Sequence, residues 1–220
     1  MFLGVILDVD GTLVDSNDAH AHAWADALRE FLRDVPFERV RPLIGMGGDK
    51  LLPLVTGLSE EHPEGKAIAE RRARIFREQY LPSVKPFAGA RELVLRLEQA
   101  GYRLAVASSS RPEELGALLR AAGVETLIEE KTSAGEVEES KPEPDVVAAA
   151  LNKLALPARE AVLIGDTPYD VEAGRRAGVP VIAFRCGGWS DVDLHGTLAV
   201  YEGPADLLAR FDSSPLRRAA

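Results

Sequence analysis

The chain has 220 residues, enough for a sizeable core plus an inserted subdomain. Its 26 Lys and Arg stand against 35 Asp and Glu, a formal charge of −9, so a nucleic-acid backbone and an anionic membrane surface are poor partners for it. With 46% hydrophobic, 28% charged and 6% aromatic residues, the composition is that of a soluble globular protein and not of a disordered chain. The single cysteine, Cys186, excludes an internal disulfide and a multi-thiolate metal site, which fits a reducing compartment and a half-buried, inert thiol.

Residues 2–7 form a short apolar run that stops at Asp8-Val-Asp-Gly-Thr12, with no basic leader before it. Such a run reads as a strand buried on both faces and ending in a polar loop, neither a signal peptide nor a membrane span. A cytoplasmic protein is expected. From residue 16 to residue 80 the pattern becomes helical, without a convincing strand. Ala21, Trp24, Ala25, Leu28 and Phe31 or Leu32 make one apolar stripe. Leu51, Leu52, Val55 and Leu58 make a second, and Ile68, Ile75, Phe76 and Tyr80 a third. Three or four bundled helices are predicted, with the charge-rich run 60–78 as a solvated face. The connections 14–17 and 81–87, the latter with Pro82 and Pro86, are the expected hinges.

Beyond them, helical patterns at 89–100, 112–122, 144–154 and 169–177 alternate with apolar runs at 103–107, 161–164 and 180–184. Glycines at 101, 123 and 178 close three of these helices. The alternation predicts an α/β fold, a doubly wound (Rossmann-like) parallel-sheet core of residues 1–14 and 86–220 with an inserted α-helical cap at 15–85. The tail 212–220 is expected to fray.

In such a sheet the carboxyl ends of the strands share one edge, where open α/β folds bind ligands. Asp8 and Asp10 leave the first strand there on the same side. Adjacent carboxylates repel, and a shared divalent cation relieves them; a plain polar turn is the other reading of this pentapeptide. Ser108 follows the run 103–107, Lys141 lies in Ser-Lys-Pro, and Asp166 and Asp170 follow the run 161–164. Taken singly, these are helix caps and a surface lysine. Taken together, they supply a hydroxyl and loop amides for phosphate oxygens, a lysine to neutralise them and carboxylates to anchor a metal, which makes a phosphoryl-transfer site.

The order Asp8-x-Asp10-x-Thr12, Ser108, Lys141-Pro, Gly165-Asp166-x-x-x-Asp170 resembles the four motifs of the haloacid dehalogenase-like hydrolase superfamily over nearly the whole chain. The helical insertion is similar to the cap of the subgroup that contains phosphoglycolate phosphatase and β-phosphoglucomutase. The resemblance implies that Asp8 is the nucleophile forming an aspartyl-phosphate, and that Asp10 protonates the leaving oxygen and then activates water. It also implies Mg²⁺ held by Asp8, the Asp10 carbonyl and Asp166, with Asp170 in support. Ser108 and Lys141, and more weakly Ser109, would hold the phosphoryl group, oriented by Thr12 and the amides of Val9 and Asp10. The implied activity is hydrolysis of a small phosphorylated metabolite, phosphoglycolate or a sugar phosphate, by a monomer or weak homodimer. An intramolecular sugar phosphomutase is the alternative. True dehalogenases of the superfamily lack the second aspartate, so Asp10 argues against that activity. Chemically, Asp8 must be ionised to attack, while Asp10 must carry a proton above the ordinary carboxylate range.

Three cap residues are candidates for substrate contact. His20, one turn before Trp24, falls where the mutases carry a histidine near the acid/base aspartate. Gly47 belongs to Gly45-Met-Gly-Gly48, either a substrate-facing loop or a plain turn, and Gly48 stands where the mutases place an arginine for a second phosphate. Lys50 would bring positive charge to the substrate. His20 and His22 point apart on a helix and are not a metal pair. Trp189 and Asp191 are candidates for the entrance or for a surface loop.

Overall fold

The computed structural model describes residues 1–217. In chain order it contains β1 (Gly4–Leu7), β2 (Val14–Asp15), α1 (Asn17–Glu30), α2 (Phe37–Val40), α3 (Gly48–Thr56) and α4 (Pro63–Ile75). There follow β3 (Lys85–Pro86), α5 (Ala90–Gln99), β4 (Arg103–Ala107), α6 (Pro112–Ala121), β5 (Glu130–Thr132) and α7 (Asp145–Leu154). The last part holds β6 (Ala161–Gly165), α8 (Pro168–Ala177), β7 (Val181–Phe184), β8 (Ala199–Tyr201) and α9 (Pro204–Ala209).

Six strands form one parallel sheet in the order β5-β4-β1-β6-β7-β8. β1 lies between β4 and β6, with Gly4 level with Arg103 on one side and Ala161 on the other. All four of its residues are buried because the sheet is covered on both faces. Val5 and Leu7 join the apolar cluster that includes Leu93 and Leu97 of α5 and Leu115 and Leu118 of α6. Ile6 points to the opposite cluster, with Val146, Val147 and Ala150 of α7 and Ala173 of α8. The doubly wound α/β architecture follows from this strand order and two-sided cover.

Residues 17–83 contain helices and short helical turns. Their stripes pack on α1, where Ala21, Trp24, Ala25 and Leu28 are buried, together with Leu51, Leu52, Ile68 and Phe76. This cluster is continuous with the sheet cluster that includes Val5 and Leu7. The expected hinges pair with each other: β2 and β3 form an antiparallel ribbon, Val14 opposite Pro86 and Asp15 opposite Lys85. Leu32, expected as an alternative to Phe31 in the first stripe, is 96% exposed on a turn with φ 58°.

In the six-stranded sheet two strands have no counterpart in the sequence expectation, β5 and β8, each three residues long at an edge. The tail also differs from expectation through residue 217. Leu216 is fully buried, and the Tyr102 hydroxyl donates to its carbonyl at 2.5 Å. Residues 218–220 of the tail lie outside the described residues. Among the described residues no helix is long and apolar enough to cross a membrane.

Candidate active site

The carboxyl ends of β1, β4 and β6 bring Asp8, Asp10, Ser108 and Asp166 to one edge of the sheet. Asp8, the first residue after β1, still holds sheet register, its N–H donating to Ile164 O at 2.9 Å. Asp8, Asp166 and Asp170 are buried and offer carboxylate oxygens within 4.8 Å of one another. Lys141, 1% exposed, lies between two of them, its Nζ 2.5 Å from Asp8 Oδ1 and 2.7 Å from Asp170 Oδ1. One buried ammonium thus faces three buried carboxylates.

The neighbours of Asp166 leave little slack. Its Oδ1 accepts from the Thr12 hydroxyl at 2.8 Å and its Oδ2 from Asn17 Nδ2 at 2.9 Å. A Cβ at Gly11 would lie 2.2 Å from Asp166 Oδ2, and one at Gly187 only 1.8 Å from it. Both glycines are therefore required by close approach, and Gly11 also by its φ of 76°. Asp170 also shapes the backbone, because its Oδ2 accepts from Thr167 N and closes a capping box at the start of α8.

Electrostatics separates the two leading aspartates. Burial pushes the Asp8 carboxyl well above its ordinary range; Lys141 pulls it down, and Asp170, Asp166 and Asp10 push it further up. Asp166 is raised by burial and by Asp170, against the hydrogen bonds of Thr12 and Asn17 and the charge of Lys141. Burial alone would lower Lys141, but the carboxylates of Asp170 and Asp8 outweigh it and hold the ammonium charged. Asp10 goes the other way. Burial raises it, yet His20 beside it, with hydrogen bonds from His20, Ser16 and Ser110, holds its carboxyl below the ordinary range. Its Oδ1 is 2.8 Å from His20 Nε2 and 2.5 Å from Ser16 Oγ, and Ser110 Oγ donates to Oδ2 at 2.7 Å.

An inner cavity of about 40 Å³ is lined by Asp8, Asp10, His20, Ser109 and Ser110 with the cap residues Trp24, Gly48 and Arg72. It shares the last five of these with an outer cavity of about 260 Å³ that also takes in Asp49, Glu60, Arg111 and Glu138. Thr12, Ser108 and Lys141 are sealed beneath this surface, with Ser108 Oγ accepting from Ser110 N at 3.0 Å. Ser109, expected only weakly, lines both cavities.

The cap lies closed on the core. Arg41 donates to Gly187 O at 2.7 Å and the Tyr169 hydroxyl to Pro42 O at 2.6 Å. Arg72 of α4 meets the buried Glu114 of α6 at 2.7 Å, donates towards His20 Nδ1 at 3.2 Å and stacks its guanidinium 5.3 Å over the Trp24 ring. His20 in turn stacks on Phe76 with ring centroids 3.9 Å apart.

Two cap expectations need correction. Lys50 does not face the cavities: its Nζ pairs with Glu139 and lies 3.9 Å from Asp49. The acidic stretch at 138–139 captures it. Gly47 does not line them either, because its N–H donates to Ser140 Oγ at 3.0 Å and fastens the cap beside Lys141. Arg72 and Ser110, which do line both cavities, are not singled out by sequence reasoning. Arg72 is one of several arginines in the run 60–78, and only the rotation of α4 distinguishes it. Trp189 packs edge-on against Tyr169 and Asp191 pairs with Arg185, both away from the cavities. Cys186 is free, and burial pushes its thiol up to about 12.

The model of the haloacid dehalogenase-like hydrolases matches residues 5–184, which include all these strand ends. The chain belongs to that hydrolase family. The protein named probable phosphatase IndB from Dickeya dadantii is 31% identical over 225 residues, spanning 96% of this chain and 97% of its own. A phosphoglycolate phosphatase from Cupriavidus necator is 32% identical over 195 residues, spanning 83% of this enzyme and 80% of the relative. A solved hydrolase from Pseudomonas syringae is 28% identical with a TM-score of 0.89, covering 96% of this enzyme and 98% of the other chain.

Proposed function

We propose that this hydrolase is a Mg²⁺-dependent phosphatase of small phosphate monoesters that works through a phosphoryl group on Asp8. The observation that carries the reading is the division of the two leading aspartates: Asp8 in the carboxylate cluster with Lys141, Asp10 outside it with His20, both lining the inner cavity. The two phosphatase relatives support it.

A hard divalent cation fits the cluster. Three buried carboxylates outnumber their one ammonium and offer hard oxygen donors within reach of one another. Asp8, Asp166 and Asp170 would hold it, with the carbonyl of Asp10. When bound, Mg²⁺ supplies charge that keeps Asp8 ionised and offsets the phosphoryl oxygens.

In the first half-reaction an Asp8 oxygen attacks phosphorus, the bond from phosphorus to the ester oxygen breaks, and the departing alkoxide takes a proton. Asp10, whose carboxyl lines the inner cavity with His20 beside it, carries that proton. In the second half-reaction water gives its proton to Asp10 as it displaces Asp8 from phosphorus. Ser108, Ser109, Thr12 and Lys141 complete the phosphoryl pocket, and the closed cap keeps bulk water out. The enzyme should release inorganic phosphate from a panel of small monoesters with Mg²⁺ and not with EDTA. Release independent of divalent metal, or none from any ester, would overturn this function.

The His20–Asp10 contact is the observation that favours the second reading, an intramolecular sugar phosphomutase. A mutase would convert a hexose 1-phosphate to its 6-phosphate with a bisphosphate primer and release little phosphate.

A further inference from the structure

We infer that the outer cavity is built for an uncharged, hydroxyl-bearing leaving group and discriminates against phosphate esters that carry a second anionic group. The inference rests on the phosphatase reading and specifies which alcohol the site accepts.

The outer cavity is where the ester's alcohol must lie, because the inner one, holding Asp8 and Asp10, has space only for about one water by volume. About 260 Å³ corresponds to roughly nine waters, the scale of a small polyol or sugar.

Two arginines line it, and each already faces a carboxylate. Arg72 holds both carboxylate oxygens of Glu114 at 2.7 and 2.9 Å, and Glu114 is only 1% exposed. A substrate carboxylate that took Nη1 from Glu114 would strand that carboxylate in the core, a cost that exceeds the gain of the new pair, while Nη2 meets His20 and Nε has no partner among the described residues. Arg111 is the second, and its guanidinium lies 3.6 Å from Glu60. Lys50, the remaining cation nearby, is held by Glu139.

The acidic side is better supplied. Asp49, Glu60 and Glu138 all line the cavity. Among the described residues Glu138 has no cation partner, and the two oxygens of Asp49 accept from Ser140. Glu60 takes up a particular place. A Cβ built on Gly48 would fall 2.5 Å from Glu60 Oε1 and 3.2 Å from Trp24 Cζ2, so the space a side chain at position 48 would use is filled by a carboxylate. Beside position 48 the cavity wall thus carries a negative charge.

Carboxylates at the rim accept hydrogen bonds from hydroxyls and repel carboxylates and phosphates. An ammonium is not favoured in turn, since it loses more hydration on entering the cavity than a hydroxyl that offers a hydrogen bond to the same carboxylates. An uncharged polyol satisfies both sets of groups.

Glycerol 3-phosphate and 3-phosphoglycerate test this directly, because they share a carbon skeleton and differ in a hydroxymethyl group against a carboxylate. At low ionic strength, kcat/KM for phosphate release should favour glycerol 3-phosphate by at least tenfold, with phosphoethanolamine no better than glycerol 3-phosphate. Equal or preferred use of 3-phosphoglycerate, or preference for phosphoethanolamine, overturns the inference. Glu60→Gln should narrow the gap between the first two esters about threefold, while Glu92→Gln, an equal charge change on exposed α5, should leave it as it is. A gap that Glu60→Gln does not move overturns the assignment. Calorimetric titration of the same two esters onto Asp8→Asn reads the preference without turnover. Tighter glycerol 3-phosphate supports the inference even if the wild type proves inert and the phosphatase reading fails; tighter 3-phosphoglycerate, or binding of neither, overturns it.

Discussion

Asp8 and Asp10 stand two residues apart on one loop and are held in opposite electrostatic situations. Asp8 shares Oδ1 with Lys141 at 2.5 Å inside a group of carboxylates that pushes its proton affinity up, while Asp10 shares Oδ1 with His20 at 2.8 Å in a set of donors that pushes it down. A backbone that alternates sides would give two like carboxylates; the partners, drawn from 133 residues away for one and from the next helix for the other, make them different. In the metal-free protein both shifts run against turnover, which needs Asp8 ionised and Asp10 protonated, so the roles proposed for the two aspartates require bound cation and substrate to reverse them.

Asp8→Asn should leave the fold intact and lower turnover at least a hundredfold, because an amide cannot form the acyl-phosphate. Circular dichroism and phosphate release check the two halves. Activity above a few per cent of wild type would remove Asp8 as nucleophile.

Lys141→Ala should destabilise the metal-free protein by about 3–5 kcal/mol, since it removes the buried ammonium that pairs with Asp8 and Asp170 and leaves the carboxylates unpaired. Urea unfolding measures this, and Mg²⁺ should recover part of the loss. A change below about 1 kcal/mol would mean that the carboxylates are protonated or solvated in the native state.

The parts of this arrangement legible in the sequence were those tied to strand ends. β1, β4 and β6 are apolar runs covered on both faces, so Asp8, Ser108 and Asp166 announce themselves by following them. Lys141 could be placed only through its motif. β5, with Glu130 and Lys131 among its three residues, carries no apolar signal because it is a half-covered edge strand, and β8 is too short to show one. In the cap, periodicity gave the buried stripes but not which charged side chain turns inward: Lys50 turned to Glu139, whereas Arg72, indistinguishable in sequence from Arg71 and Arg74, turned to Glu114 and the cavity. Those choices depend on how cap and core dock, and docking is a long-range property.

Stabilisation by Mg²⁺ should grow with pH. Asp8 and Asp166 have raised folded-state proton affinities, so the folded protein holds their protons more tightly than the unfolded chain. In the metal-free protein this contribution is present below the unfolded carboxylate value near 4 and is lost as pH rises through the raised folded values. A cation that replaces those protons therefore gains most at higher pH. The rise in Tm on adding Mg²⁺ should be larger at pH 7.5 than at pH 5; an equal or larger rise at pH 5 would contradict the assignment of the cluster.

Arg72 and Glu114 should behave as a coupled pair across the cap and the core. Glu114→Ala and Arg72→Ala should each cost about 3 kcal/mol, and the double variant less than their sum by about 1–3 kcal/mol. Glu114→Ala should raise KM more than it lowers kcat, because it loosens closure and leaves Asp8 and Asp10 in place, whereas Arg72→Ala also removes the partner of His20 Nδ1 and should lower kcat as well. Additive unfolding energies would show that the pair does not fasten the cap.

The most direct measurement is to quench the enzyme with acid during turnover of a phosphate ester labelled at phosphorus and to locate the label by peptide mapping. With Asp8 as the nucleophile, the label falls on the peptide that contains Asp8, is removable by hydroxylamine as an acyl-phosphate and is absent from Asp8→Asn. Phosphate release with no bound label, or label on any other residue, would contradict that chemistry.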